Sequence, residues 1–160
     1  AVDRSGKPLL HKSRQVAARF AWVHAIDRLK IAQRLSDARG SHLPELNVCI
    51  QVNLSGEPTK SGAAAREVGA LARSVSVLPR LKLRGLTTIP EPCNDLARPR
   101  VRFAELRRLL ETLNTEGLGL DTLSMGMSSD LEAAILEGAT IVRVGTAIFG
   151  SRSAADRASQ

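Results

Sequence analysis

Two short stretches near the C-terminal end carry residue types that could do chemistry together. The first is Leu123-Ser124-Met125-Gly126-Met127-Ser128-Ser129-Asp130-Leu131-Glu132-Ala133-Ala134, where an apolar run enters a turn with a glycine and two serines, then a helical pattern. Ser129-Asp130-Leu131-Glu132 matches a capping box, in which serine and glutamate satisfy the first amides of a helix. The amides and dipole of such a helix start favour an anion, although Asp130 and Glu132 partly oppose one. The second stretch is Ile141-Val142-Arg143-Val144-Gly145-Thr146-Ala147-Ile148-Phe149-Gly150. Arg143 interrupts an otherwise apolar strand, and a buried charge needs a partner because burying it alone is costly. Either it pairs with an acid on a neighbouring strand or its guanidinium faces a ligand. Gly145 and Thr146 follow at the strand's end, where bare backbone and a hydroxyl can meet a phosphate. A phosphate site in the loops after the last two strands is a habit of (β/α)8 barrels.

The elements that must position these residues alternate along the chain. Lys12–Phe20 has high helix propensity, and Trp22–Ile26 reads as a short strand. Asp27 offers an N-cap for a helix marked by Ile31, Ala32, Leu35 and Ala38, which Gly40 closes. Asn47–Leu54 is the clearest strand, with Val48, Ile50, Val52 and Leu54 on one face and Cys49, Gln51 and Asn53 on the other. A loop, Ser55–Gly62, leads to a helix with Val68, Leu71, Val75 and Leu78 spaced 3, 4, 3. Leu83–Ile89 is a strand ended by Pro90-Glu91-Pro92. Phe103, Leu106, Leu110 and Leu113 mark the next helix. Thr122–Met125 and Thr140–Val144 read as strands flanking a short helix from Ser129 to Glu137.

This order predicts an α/β fold with a parallel sheet and helical crossovers. A TIM (β/α) barrel and an open doubly wound sheet both fit. The strand with one apolar face and one face carrying Gln51 and Asn53 favours the barrel, whose inward residues build a site at its mouth. A full barrel takes roughly 250 residues, and about five strands are present here. The expectation is therefore a single partial barrel domain over residues 1–152, incomplete because the first strands are missing, with a polar tail over 153–160.

Composition narrows the function classes. The 160 residues carry a net charge of +7, concentrated in residues 1–40 and 73–108. Aromatic residues make up only 2%, which leaves little to stack on bases and argues for a solvated basic surface rather than a nucleic-acid partner. No apolar run reaches the ~20 residues of a membrane span, and the charged N-terminus is not a secretory signal. Cys49 and Cys93 form neither a disulfide framework nor a metal cluster, so no metal is expected and a reducing cytoplasm fits.

Three further stretches complete a pattern: Trp22-Val23-His24-Ala25-Ile26-Asp27-Arg28-Leu29-Lys30, Val48–Ser55 with Lys60-Ser61-Gly62, and Leu83-Arg84-Gly85-Leu86-Thr87-Thr88-Ile89-Pro90. Together with the two stretches above, collinear from about Pro8 to Arg152, they resemble the pyridoxal phosphate homeostasis protein family, similar in turn to the N-terminal barrel of alanine racemase. The resemblance implies an incomplete TIM barrel of the alanine racemase N-terminal type that binds pyridoxal 5′-phosphate. Ser128 or Ser129, with the amides of Gly145 and Thr146, should hold its phosphate. Arg143 should face the pyridine nitrogen and Met125 should pack near the ring, while His24 and Asn53 line the mouth.

The implied function is intracellular homeostasis of the cofactor without catalytic turnover. The alternative is an amino-acid racemase-like enzyme; the sequence lacks any Tyr for the second acid/base role, for which His24 could substitute. Family members also begin with a strand carrying the cofactor's anchoring lysine, and a second strand ending in a His-Phe-Ile-Gly-like motif; neither is found here. Ala1-Val2 and Lys7-Pro8 only echo the lysine segment, and Lys60 reads as a loop-bracing residue. An open barrel would leave unpaired edges near Trp22–Ile26 and Thr140–Val144, inviting self-association and admitting water to the cofactor site.

Overall fold

The structure, a computed structural model, describes residues 12–55, 61–89 and 97–150. The elements run α1 (Ser13–Arg19), β1 (Trp22–Ile26), α2 (Leu29–Ala38), β2 (Leu46–Asn53), β3 (Ala63–Ala64), α3 (Ala65–Ser76), β4 (Leu81–Thr87), α4 (Ala97–Thr115), β5 (Thr122–Met127), α5 (Leu131–Leu136), β6 (Ile141–Arg143) and α6 (Thr146–Phe149). The sheet order is β1-β2-β4-β5-β6, all parallel, with the two-residue β3 beside the end of β2. Each main strand lies next to its predecessor. A doubly wound sheet reverses this order at a switch point; the steady progression is that of a (β/α) half-barrel. The incomplete-barrel expectation therefore holds.

The helical stripes set the outer layer. Val68 and Val75 of α3 and Phe103, Leu106, Leu110 and Leu113 of α4 are buried against strand residues Val48, Ile50, Val52, Leu83, Leu86, Leu123 and Met125. The strands do not alternate strictly. Register shifts fall between Val23 and Ile26 on β1, at Leu83–Gly85 on β4, and between Ser124 and Met127 on β5. Each inserts one residue, as a β-bulge does. On β4 the bulge returns Leu86 to the core after Leu83, three positions on, and turns Thr87 to the opposite, inner face.

Three capping expectations are corrected. Asp27 does not cap α2: the extended backbone of Arg28 (φ −156°, ψ 152°) delays the helix to Leu29. Asp27 instead accepts hydrogen bonds from Arg28 Nε and Nη2 at 2.8 and 3.0 Å. Gly40 takes no left-handed conformation. The end of α2 is finished by Arg39, whose amide donates to Leu35 O and Ser36 O while its buried guanidinium donates to Ala17 O, Phe20 O and Pro44 O. The capping box at Ser129 does not form, because α5 starts at Leu131 with no side-chain cap. Asp130 turns back and accepts the Met127 amide at 2.6 Å. Lys7, Lys60, Pro90–Pro92 and the tail from residue 153 lie outside the described residues.

Candidate functional site

Gly126 begins the site. Its φ is +94°, and an added Cβ would lie 2.5 Å from Ala134 Cβ of α5, so the end of β5 needs glycine on both counts. The turn that follows delivers Ser128, whose Oγ accepts the amides of Gly145 and Ala147, each at 3.2 Å. In front of Gly145 a Cβ would meet nothing within 4 Å. The end of β5 and the first turn of α6 thus form a small polar cup facing open space. Of the two candidate serines, Ser128 joins the cup; Ser129 is exposed beside it, and Thr146 is exposed at the start of α6.

Arg143 ends β6 next to this cup. Its Nη1 donates to Thr87 Oγ1 at 3.1 Å and its Nη2 to Thr88 O at 2.6 Å. Its Nε is buried without an acceptor, and no carboxylate bonds to it among the described residues. Burial pulls its pKa below the ordinary value, with Asp130 opposing. The interstrand ion pair is therefore not what holds it. Thr87 in turn donates to Ser124 O at 2.8 Å, and Thr88 to Val52 O at 3.0 Å. These two threonines are the site residues sequence reasoning missed; the only signal was paired hydroxyls at the end of an apolar strand.

His24 reaches across the inner face, with Nδ1 3.0 Å from Ser124 Oγ. Its pKa is lowered by burial first, then by the charge of Arg143. The fold therefore disfavours the imidazolium, while the unfolded chain takes up that proton near pH ~6.5. Stability contributed by His24 is full above that value and is lost as pH falls below it toward the depressed folded value. We expect the wild-type melting temperature to fall more steeply between pH 7 and 5 than that of His24→Asn; parallel curves would refute this.

Two candidates sit elsewhere. Met125 shares a face with Leu123 and is fully buried in the helix-side core; its neighbour Ser124 carries the inner position. Asn53 closes a local turn, its Oδ1 accepting the Ser55 amide at 3.0 Å and hydroxyl at 2.7 Å. The described lysines Lys12, Lys30 and Lys82 are all exposed. No helix among the described residues is long and apolar enough to cross a membrane.

Comparison with known proteins bears on this geometry. The family profile described as "Alanine racemase, N-terminal domain" matches residues 7–153. A pyridoxal phosphate homeostasis protein of Pseudomonas aeruginosa is 61% identical over 142 residues, covering 89% of this chain and 60% of the relative. That of Escherichia coli is 51% identical over 142 residues, covering 89% and 61%. The chain thus spans about three-fifths of the length of these curated relatives. Among solved structures, PipY of Synechococcus elongatus with PLP bound is 34% identical with a TM-score of 0.82, covering 91% of this chain and 68% of PipY. Alanine racemase of Corynebacterium glutamicum, 18% identical with a TM-score of 0.64 over 82% of this chain and 36% of the enzyme, shares the fold alone. A profile spanning nearly the whole chain and a parallel half-barrel agree: the chain belongs to the alanine racemase N-terminal domain family, and within it is similar to the pyridoxal phosphate homeostasis proteins.

Proposed function

We propose that this chain binds pyridoxal 5′-phosphate at the mouth of its half-barrel and serves cofactor homeostasis without turnover of its own. The observation that carries the reading is the pairing of the Ser128 cup with Arg143, whose buried Nε–H has no acceptor among the described residues. An orphaned buried donor is costly, and a ring nitrogen is an acceptor of the right kind. The Ser128 hydroxyl, oriented by the Gly145 and Ala147 amides, and the Thr146 amide donate to the phosphate, with Ser129 at the rim. Arg143 addresses the pyridine end, His24 and Ser124 form the floor, Asn53 shapes the neighbouring loop, and Met125 supports the strand from behind.

When bound, the cofactor supplies an aldehyde and a ring able to draw electrons from an attached amine. Arg143 cannot accept a proton, so it leaves the pyridine nitrogen unprotonated and the ring a weak electron sink. That suits holding and release better than catalysis.

Equilibrium dialysis of the full chain against pyridoxal 5′-phosphate and phosphate-free pyridoxal tests this. We expect saturable binding of the phosphorylated form, about tenfold or more tighter than pyridoxal, and Ser128→Ala to remove about that factor, as loss of a hydrogen bond to a charged group would. No saturable binding, or equal binding of both compounds, would overturn it. Borohydride reduction with peptide mapping, Lys7 first, shows whether a lysine outside the described residues anchors the cofactor.

A further inference from the structure

A set of polar contacts on four strands links His24 to Arg143, passing within Ser124 from its hydroxyl to its main-chain carbonyl. His24 Nδ1 meets Ser124 Oγ at 3.0 Å; Ser124 O accepts from Thr87 Oγ1 at 2.8 Å; Thr87 Oγ1 accepts from Arg143 Nη1 at 3.1 Å. Ser124 and Thr87 are fully buried. We propose that His24 is a positioning residue for Arg143: the neutral ring keeps the guanidinium docked on β4, and the protonated ring releases it, so acid disarms the mouth. This rests on the reading of Arg143 as the ligand-facing cation.

The charges around the ring single out Arg143. On β1's own side, Asp27 and Arg28 are paired with each other. Cys49 of β2 is neutral, its thiol pushed up to about 12 by burial. Arg84 of β4 lies beyond Trp22, 4.9 Å above that ring, and is bound by Asp121 just before β5. Asp130, after β5, acts on Arg143. Arg143 of β6 alone lacks an ion-pair partner near His24 among the described residues.

Protonation then acts twice. With both ring nitrogens protonated, Nδ1 can only donate, so Ser124 Oγ is left with the acceptor role alone toward the ring. The new charge also repels a guanidinium anchored only by a hydroxyl and a carbonyl, with no counter-charge to hold it.

The test is a pH titration of the full chain followed by the arginine Nε–H resonances in ¹⁵N-labelled protein, beside the His24 ring signals. We expect the Arg143 resonance to be sharp at pH 7.5 and to shift or vanish in acid with the His24 midpoint. His24→Asn, which can still bond Ser124 but cannot titrate, should keep it at pH 5; if that variant does not fold, coincidence of the wild-type midpoints decides. Pyridoxal 5′-phosphate affinity should fall further in wild type than in His24→Asn between pH 7.5 and 5, because only the wild-type ring takes up a proton in that range; the ligand's own titration cancels in that ratio. An Arg143 signal indifferent to His24 titration, or lost equally in His24→Asn, overturns the inference. Coupled resonances without any cofactor binding would support the coupling while removing the function proposed above.

Discussion

Gly85→Ala should cost about 3 kcal/mol or more and leave little cooperative unfolding to measure. Gly85 pairs with Thr122, and an added Cβ would collide with the Thr122 carbonyl of the neighbouring strand. The obstacle is backbone, so no side chain can rotate away; β4 and β5 must part, disturbing the Leu86–Leu123 and Thr87–Ser124 pairings that follow. Overpacking a core typically costs about 1–3 kcal/mol where side chains can adjust, and here they cannot. Against a total stability of about 5–15 kcal/mol for a domain, that is a large share. Gly69→Ala is the control. It lies within α3, where the nearest atom to an added Cβ is the flexible end of Arg73 at 3.5 Å. Removing a helix-interior glycine should gain up to about 1 kcal/mol. Urea unfolding followed by circular dichroism reads both. Equal stability of Gly85→Ala and wild type would mean that the close approach of β4 and β5 is not real.

The same glycine shows where sequence reading stops. Helix stripes at Val68–Val75 and Phe103–Leu113 were legible because a 3.6-residue period survives small errors in the ends. Strand faces were legible on β2, which runs without an inserted residue, and so the inward side of Gln51 and Asn53 pointed to a barrel. Strict alternation from Leu83 would place Gly85 and Thr87 on the core side. The bulge reverses this after Arg84, and Thr87 becomes the residue that receives Arg143. An isolated glycine inside an apolar strand is the signal for such a bulge, but it does not say which way the parity turns.

Capping was misread for a related reason. Asp27 and Ser129 each stand two residues before the helix they were expected to start. A capping motif is local, and tertiary bonds moved the boundary: the Asp130 carboxylate is taken by the Met127 amide to tighten the turn that presents Ser128. At the site itself, Arg143 was conspicuous as a charge in an apolar strand, and Gly145 beside it as bare backbone. What sequence could not give was the partner set. Thr87 and Thr88 lie more than fifty residues away, and only the sheet order brings β4 within two strands of β6.

Arg143→Leu should weaken pyridoxal 5′-phosphate binding about ten- to a hundredfold while leaving the melting temperature of the ligand-free chain equal or higher. The two halves of this expectation come from one fact: the guanidinium is half-buried, has an orphaned Nε and meets no carboxylate among the described residues. Replacing buried charge by an apolar side chain of similar volume is often neutral or stabilising. Thr87 keeps its bond to Ser124 O when the arginine is gone, so the β4–β5 contact survives. The lost bond to Thr88 O is offset by the desolvation no longer required of the cation. For the ligand there is no such compensation. Losing a charged donor at the ring removes about 1.5–3 kcal/mol, a loss of about ten- to a hundredfold in affinity. Differential scanning fluorimetry and dialysis on the same preparation give both readings. A lower melting temperature with binding retained would show Arg143 to be a brace between β4 and β6 rather than a residue kept, at a cost in stability, for a ligand.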